Sequence, residues 1–333
     1  MQKISLMFPG PQRLLWKKLE SRQSELSEIR LRVNQPIRVV LEGKEYYLSD
    51  DGSVTLSENH AMCIGQDYIP QFLDYVCQYS LYAFEEEVRR GFLTIRGGNR
   101  IGIAGQVVLN EQAQIKTIKH IFYVNIRISH EVLGAADRIL PYAYENHQLK
   151  NILIVSPPGW GKTTVLRDLV RQVSDGNPYE RGKNVALIDE RSEIAGSFLG
   201  IAENHIGSRT DCLDGCPKTL GMMLMLRSMA PQVLAIDELG GFEELDTLRQ
   251  ANACGCKVIA TAHGSSVDEV ERRFGGEVRR LFELFVLPGR RENGFSLRIT
   301  DREGVCFDSW EQFVSLAEPW GWGLSGKNNT CGE

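Results

Sequence analysis

The sequence predicts an α/β fold in which a domain built on a parallel sheet follows a smaller α+β domain. Three observations carry this expectation. From Asn151 onward, short apolar runs alternate with segments of helical spacing, the rhythm of a parallel sheet with crossover helices. One of those runs passes through a Pro/Gly loop directly into a helical segment. Before Ile139, strand-like alternation and helical spacing are mixed without that rhythm. We therefore expect an N-terminal α+β domain over residues 1–140, a parallel-sheet domain over 141–310 and a partly mobile C-terminal extension over 311–333.

In the first domain, Leu14, Leu15 and Leu19 suggest a short amphipathic helix. Ile29-Arg30-Leu31-Arg32-Val33 alternates like a strand, and Asn34-Gln35-Pro36 reads as a turn. Residues 37–41 and 45–48 form a hairpin through Gly43. Ile69, Phe72, Leu73, Val76 and Tyr79 have helical spacing. Residues 92–95 and 101–109 read as strands joined by Arg96-Gly97-Gly98-Asn99, and residues 123–128 as a further alternating strand. Residues 141–150 read as a connection.

The second domain has strands at 152–155, 185–188, 233–236 and 258–260, each followed at once by polar or charged residues. Strand-like alternation returns at 295–299 and 305–307. Ligands of parallel sheets bind beyond the carboxyl ends of the strands, so residues 159–163, Asp189-Glu190, Asp237-Glu238 and His263 are expected on one edge. The first strand runs into Ser156-Pro157-Pro158-Gly159-Trp160-Gly161-Lys162-Thr163-Thr164, and a helix follows with Val165, Leu166, Leu169 and Val170 on one face. This strand–loop–helix setting is that of a P-loop, G-x-x-x-x-G-K-[ST], with serine in place of the first glycine. Glycines let backbone N–H groups turn inward around phosphate, and the helix N-terminus adds partial positive charge. A loop with Ser156 is expected to form if that residue has φ < 0. Residues Ser156 to Thr164 are the expected nucleotide site. Lys162 reaches the β- and γ-phosphates, and Thr163 offers its hydroxyl to Mg²⁺. The fold is thus expected to be a RecA-like P-loop NTPase domain.

Val233-Leu234-Ala235-Ile236-Asp237-Glu238 is a buried strand ending in two acids, the Walker B arrangement. Asp237 is expected to hold Mg²⁺ through water, and Glu238 to orient and deprotonate the attacking water. Successive strand residues face opposite ways, so the strand end must turn for both acids to serve. Val185-Ala186-Leu187-Ile188-Asp189-Glu190-Arg191-Ser192-Glu193 repeats the design, which nominates Glu190 and Glu193 as further carboxylates positioning water or Mg²⁺. Glu193 could equally be a first-turn acid that favours a helix dipole. His263, ending the fourth strand in Thr261-Ala262-His263-Gly264, is placed to sense the γ-phosphate or to be structural. Arg96, Arg100, Arg127, Arg209 and Arg227 are candidates for a guanidinium acting on the developing charge. Arg127, just before the connection between domains, is the first choice, with Arg100 next.

The net charge of −5 gives no global basic field for nucleic acid, although Arg89-Arg90, Arg272-Arg273, Arg279-Arg280 and Arg290-Arg291 are local clusters. No run of 18 apolar residues suggests a transmembrane helix, and the N-terminus lacks the apolar core of a signal peptide. The eight cysteines lack zinc spacing and suit a reducing compartment.

Together these pieces resemble the stage III sporulation protein AA family of endospore-forming bacteria. In the first domain the resemblance rests on Glu28-Ile29-Arg30-Leu31-Arg32, Ser80-Leu81-Tyr82-Ala83-Phe84-Glu85-Glu86-Glu87, Gly97-Gly98-Asn99-Arg100-Ile101-Gly102 and Asn125-Ile126-Arg127-Ile128. In the second it rests on Pro157-Pro158-Gly159, Gly161-Lys162-Thr163-Thr164, Asp189-Glu190-Arg191-Ser192-Glu193-Ile194-Ala195-Gly196, Arg209-Thr210-Asp211, Asp214-Gly215-Cys216-Pro217-Lys218 and Arg227-Ser228-Met229. Ser156 and Trp160 depart from the usual family pattern. More distantly the chain is similar to the ATPases of type II and type IV secretion and pilus systems. That resemblance implies an Asp box over residues 189–193, a Walker B motif ending in Glu238 and a His box holding His263. It also implies a hexameric ring, nucleotide between the two domains of a subunit, and first-domain arginines closing the site.

The implied protein is a mother-cell ATPase of the cytoplasm that uses ATP and Mg²⁺. It docks peripherally on a membrane channel complex between mother cell and forespore, whose membrane proteins are its partners. Two other readings stay open. A RecA-type nucleic-acid-dependent ATPase would use Tyr79, Tyr82 and Phe92 near Arg89-Arg90 as stacking and phosphate groups. A non-catalytic scaffold would bind nucleotide only as an assembly signal, a reading that the serine in the loop supports.

Overall fold

The computed structural model describes residues 3–80, 84–291 and 294–307. These fall into two compact units. The first holds the described residues up to Leu133 together with Asp189–Ile206 and Cys212–Pro217. The second holds Gly134–Ile188, Gly207–Asp211 and the described residues from Lys218 on. The expected extension from 311 and the sequence Leu81-Tyr82-Ala83 lie outside the described residues.

The first unit is an antiparallel sheet with helices. A short helix α1 (Arg13–Trp16) continues as a 3-10 helix, Lys17–Arg22. Leu14 is exposed, so Trp16 and Leu19, rather than a leucine stripe, anchor this segment. The strands are β1 (Leu26–Arg32), β2 (Arg38–Leu41), β3 (Lys44–Leu48) and β4 (Val54–Thr55), then β5 (Phe92–Ile95), β6 (Asn99–Leu109) and β7 (Ile115–Arg127). They are ordered β4-β3-β2-β1-β7-β6-β5. β7 begins eight residues before the alternation at Tyr123 suggests, because its first half is polar and pairs with β6 alone.

Helix α2 (Tyr68–Val76) and helix α3 (Glu85–Arg90) pack against β7. α2 buries Ile69, Phe72, Leu73 and Val76. It stops before Tyr79, because Gln78 and Tyr79 take left-handed backbone conformations that end a helix. Phe8 stacks on Trp16 with centroids 4.2 Å apart and meets Phe72 at 5.0 Å. Buried aromatic and aliphatic side chains of this kind each contribute about 1.5–3 kcal/mol. Phe198, from the loop after Asp189, joins the same core, which ties that loop to this unit.

The second unit opens with helix α4 (Leu140–Ala143) and the hairpin β8 (Tyr144–Glu145) and β9 (Gln148–Leu149), so the expected connection has structure of its own. Then come β10 (Ile152–Ser156), helix α5 (Lys162–Asp175), the hairpin β11 (Gly176–Asn177) and β12 (Glu180–Arg181), and β13 (Val185–Asp189). After β14 (Thr210–Asp214) follow α6 (Lys218–Ser228), β15 (Val233–Ile236), α7 (Phe242–Ala253), β16 (Lys257–His263), α8 (Val267–Arg273), α9 (Val278–Leu281), β17 (Leu284–Arg291) and β18 (Gly294–Asp301). The sheet order is β14-β13-β15-β16-β10-β17-β18. Strands β13, β15, β16, β10 and β17 are parallel to one another, and β18 returns antiparallel. Residues 305–307 make only an isolated bridge, Thr300 to Cys306, rather than a strand.

These parallel strands read as continuous apolar runs because both faces are covered. All five residues of β10 are buried. Asn151 fixes where β10 starts. Its side-chain amide donates to Asn252 Oδ1 and to the Leu281 carbonyl, each at 2.9 Å, and its Oδ1 accepts from Val258 N at 2.9 Å. One buried amide thus pins the loop-bearing strand against its neighbour β16. β16 in turn separates β10 from β15, so its carboxyl end lies between those of the two motif-bearing strands.

Candidate active site

The loop after β10 is set by two backbone positions. Gly159 and Gly161 have φ of 76° and 87°, left-handed values that side-chain-bearing residues rarely adopt. Ser156 is the last residue of β10 and is absent from the left-handed region, so its position makes no demand for glycine. It is buried, and its hydroxyl donates to the Pro157 carbonyl at 3.2 Å. Trp160 is partly exposed and lies beside Gly289 of β17. α5 starts at Lys162, so Thr163 and Thr164 stand half-buried on its first turn. The first N–H groups of a 14-residue helix, which have no intrahelical acceptor, suit an anion.

Lys162 is buried, and the cost of desolvating its ammonium lowers its pKa against the opposing pull of Glu238 and Asp237. Its Nζ donates to the carbonyls of Ser156 at 2.7 Å and Pro157 at 3.0 Å. It also meets His263 Nδ1 at 3.1 Å. An ammonium has only protons to offer, so Nδ1 is the acceptor and the imidazole proton sits on Nε2. Nε2 faces Glu238 Oε1 at 3.3 Å. A chain of polar contacts therefore runs Lys162–His263–Glu238 across the ends of β10, β16 and β15. His263 is a bridge in this unit and not an isolated core histidine.

The two acids after β15 are turned by the backbone. β15 ends at Ile236, Asp237 lies in a bend, and Glu238 has φ of 50°. A left-handed residue with a Cβ costs roughly 1–2 kcal/mol. The turn breaks the alternation that would send two successive side chains to opposite faces. Thr261, fully buried on β16, holds it. Its hydroxyl accepts from Glu238 N at 2.9 Å and donates to Asp237 Oδ1 at 3.1 Å. Its carbonyl accepts from Leu239 N at 2.6 Å. The sequence reading passed over Thr261; the only signal for it was a hydroxyl residue two positions before His263 on a buried strand.

Asp189, which ends β13, and the acids that follow it belong to the first unit. No helix follows Glu193, so the dipole reading of that residue fails: residues 190–195 form turns and bends. Asp189 is fully buried, and its carboxylate works on its own loop. Oδ1 accepts from Glu193 N at 2.9 Å, and Oδ2 from Ile194 N at 2.9 Å and Ala195 N at 2.8 Å. Glu190 is half-buried in the turn beyond Asp189. Glu193 Oε1 accepts from Arg100 at 2.5 Å, and the Arg100 guanidinium also covers the Phe92 ring at 3.7 Å. Arg127 ends β7 exposed, paired across the strands with Glu28 and Arg100. Asp214, which accepts from the Ser192 hydroxyl at 2.7 Å, has its pKa raised by burial. Cys212 beside it is pushed up to about 12, first by burial and then by Asp189 and Asp214.

Among the described residues no three His, Cys, Asp or Glu side chains converge as a metal cage. Thr163 and Asp237 offer the few oxygen ligands that suit Mg²⁺ held together with phosphate oxygens and water.

The family described as "Sporulation stage III, protein AA" matches residues 1–307. Stage III sporulation protein AA of Bacillus subtilis (strain 168) is 41% identical over 264 residues, covering 79% of this chain and 81% of that protein. Among solved structures, the ATPase DotB of Yersinia pseudotuberculosis aligns with a TM-score of 0.58 at 15% identity, covering 94% of this chain and 84% of that one. DotB of Legionella pneumophila gives 0.56 at 14% identity over 93% of this chain and 85% of that one. The pilus retraction motor PilT with bound ADP gives 0.57 at 14% identity over 96% and 90%. At these identities the structural likeness establishes the fold, a RecA-like P-loop domain preceded by a smaller α+β domain.

Proposed function

The chain belongs to the stage III sporulation protein AA family, and from that premise we propose that it hydrolyses ATP to power or assemble a membrane channel complex in sporulation. The observation that carries this reading is the convergence of Lys162, His263, Glu238 and Asp237 at the carboxyl ends of β10, β16 and β15. The Ser156 to Thr164 loop cradles the phosphates, with Lys162 leaving its carbonyl contacts for the β- and γ-oxygens. Thr163 and Asp237 would hold Mg²⁺, which neutralises phosphate charge when bound. Glu238 orients the attacking water and accepts its proton. His263, bridging Lys162 and Glu238, links the group that holds the phosphate to the group that holds the water. Arg127, supplied from another subunit, stabilises the developing charge.

The working form is a ring of identical subunits, a hexamer by analogy with secretion ATPases. It acts in the mother-cell cytoplasm and meets the membrane through partner proteins. No helix among the described residues is long and apolar enough to cross a membrane. The test compares the full-length chain with Lys162→Ala, measuring phosphate release and the binding of a fluorescent ATP analogue. The variant is expected to lose most hydrolysis and to bind weakly. Full hydrolysis by Lys162→Ala removes the phosphate role and with it this reading.

A further inference from the structure

Two successive acids can serve one reaction only if the strand that carries them stops alternating. Here that break is the left-handed backbone of Glu238, at φ of 50°. Glycine and asparagine are the usual residents of such a conformation, and glutamate is not. Something outside the β15 segment must favour it.

We propose that Thr261 is the positioning residue that fixes both acids, the backbone of Glu238 and the carboxylate of Asp237, in their working arrangement. The proposal rests on the reading of Asp237 and Glu238 as hydrolytic acids. Thr261 Oγ1 sits 2.9 Å from Glu238 N and 3.1 Å from Asp237 Oδ1. The first contact needs an acceptor and the second a donor. A hydroxyl supplies both from one atom, and no aliphatic or carboxylate side chain of similar size does. The threonine carbonyl takes Leu239 N at 2.6 Å, so three consecutive residues of the β15 end are tied to one residue of β16. Thr261 is fully buried, so water does not compete for these bonds. Its own strand ends two residues later in His263, whose Nε2 faces the Glu238 carboxylate at 3.3 Å. The backbone of Glu238 is therefore set by Thr261 and its side chain by His263.

Thr261 touches neither water nor nucleotide in this account, so its effect passes through the two acids. Thr261→Val keeps the shape and removes the hydroxyl, whereas Thr261→Ser keeps the hydroxyl. In the full chain, Thr261→Val is expected to lower kcat about 100-fold while KM for ATP stays within about threefold, because misplacing a reacting group by about 1 Å costs that much. Thr261→Ser is expected to return kcat to within about threefold of wild type. Wild-type kcat in Thr261→Val, or equal losses in the valine and serine variants, overturns the proposal.

A crystal structure of Thr261→Val reads the positioning directly. Glu238 is expected to leave the left-handed region and its carboxylate to leave His263. An unchanged Glu238 backbone refutes the role even if turnover falls. A shifted Glu238 in a protein whose wild type shows no hydrolysis keeps the positioning and removes the ATPase reading. If Thr261→Val does not fold, Thr261→Cys, a weak donor and acceptor of similar size, takes its place in both experiments with the same expected direction.

Discussion

Asp189 offers the sharpest test of how the acid cluster after β13 is used. Its carboxylate is fully buried and accepts three backbone N–H bonds, two on Oδ2 and one on Oδ1. In Asp189→Asn the amide oxygen can keep the pair from Ile194 and Ala195, which sets its NH₂ against the N–H of Glu193. One bond to a charged acceptor is then lost, worth about 1.5–3 kcal/mol, and the other two lose their charge assistance. The expected total is about 2–4 kcal/mol, allowing for partial relaxation. At about 2–4 °C per kcal/mol for a domain of this size, Tm falls by roughly 4–16 °C. Asp189→Ala orphans all three donors and costs more. Circular dichroism melts of wild type and both variants, with and without Mg²⁺ and ATP, make the measurement. An Asp189→Asn protein that melts with wild type but loses Mg²⁺-dependent nucleotide binding would refute the structural role and make Asp189 a ligand.

The remaining predictions follow from the same geometry. Glu238→Gln keeps an oxygen for His263 but cannot accept a proton, so ATP stays bound while turnover falls about 10²–10⁴-fold, measured by single-turnover phosphate release. Loss of ATP binding in Glu238→Gln with retention in Asp237→Asn would reverse the two assignments. Arg127→Ala lowers kcat far more than nucleotide affinity, the mark of a charge acting in the transition state. Arg100→Ala, by contrast, also lowers Tm because it removes one contact each of Glu193 and Phe92. At about pH 8 iodoacetamide labels the exposed Cys63, Cys254 and Cys306 first, since thiolate is the reactive form. Cys77, Cys212 and Cys256, each pushed up to about 12 by burial, are spared, which peptide mass mapping reads directly. Fast labelling of Cys212 in the native protein would contradict its raised pKa.

Much of the second unit was legible because its strands are unbroken apolar runs ended by polar residues. β10, β13, β15 and β16 lie where those runs lie. β17 escaped notice because its run, Leu284 to Leu287, follows Phe282 without a motif and is interrupted by Pro288. The first half of β7 was illegible for the opposite reason, being too polar to show one buried face. The loop chemistry was read from Gly159, Gly161 and Lys162, and the structure adds why Ser156 fits: it occupies a strand position. What sequence could not give were contacts that join distant segments. Thr261 meets Asp237 and Glu238 across 23–24 residues, Asn151 meets Val258 across 107, and Arg100 meets Glu193 across 93. The inward use of Asp189 was hidden for another reason. An acid that caps its own loop and an acid that faces a ligand have the same letter and the same place at a strand end.

Hydrolysis of ATP by an assembled ring is read from ATP turnover measured against protein concentration, with sedimentation velocity on the same samples. Specific activity is expected to rise as the oligomer forms, since assembly is governed by mass action, and Lys162→Ala to stay inactive throughout. A specific activity that is flat from dilute to concentrated protein, from a species that sediments as a monomer, would contradict hydrolysis by a ring.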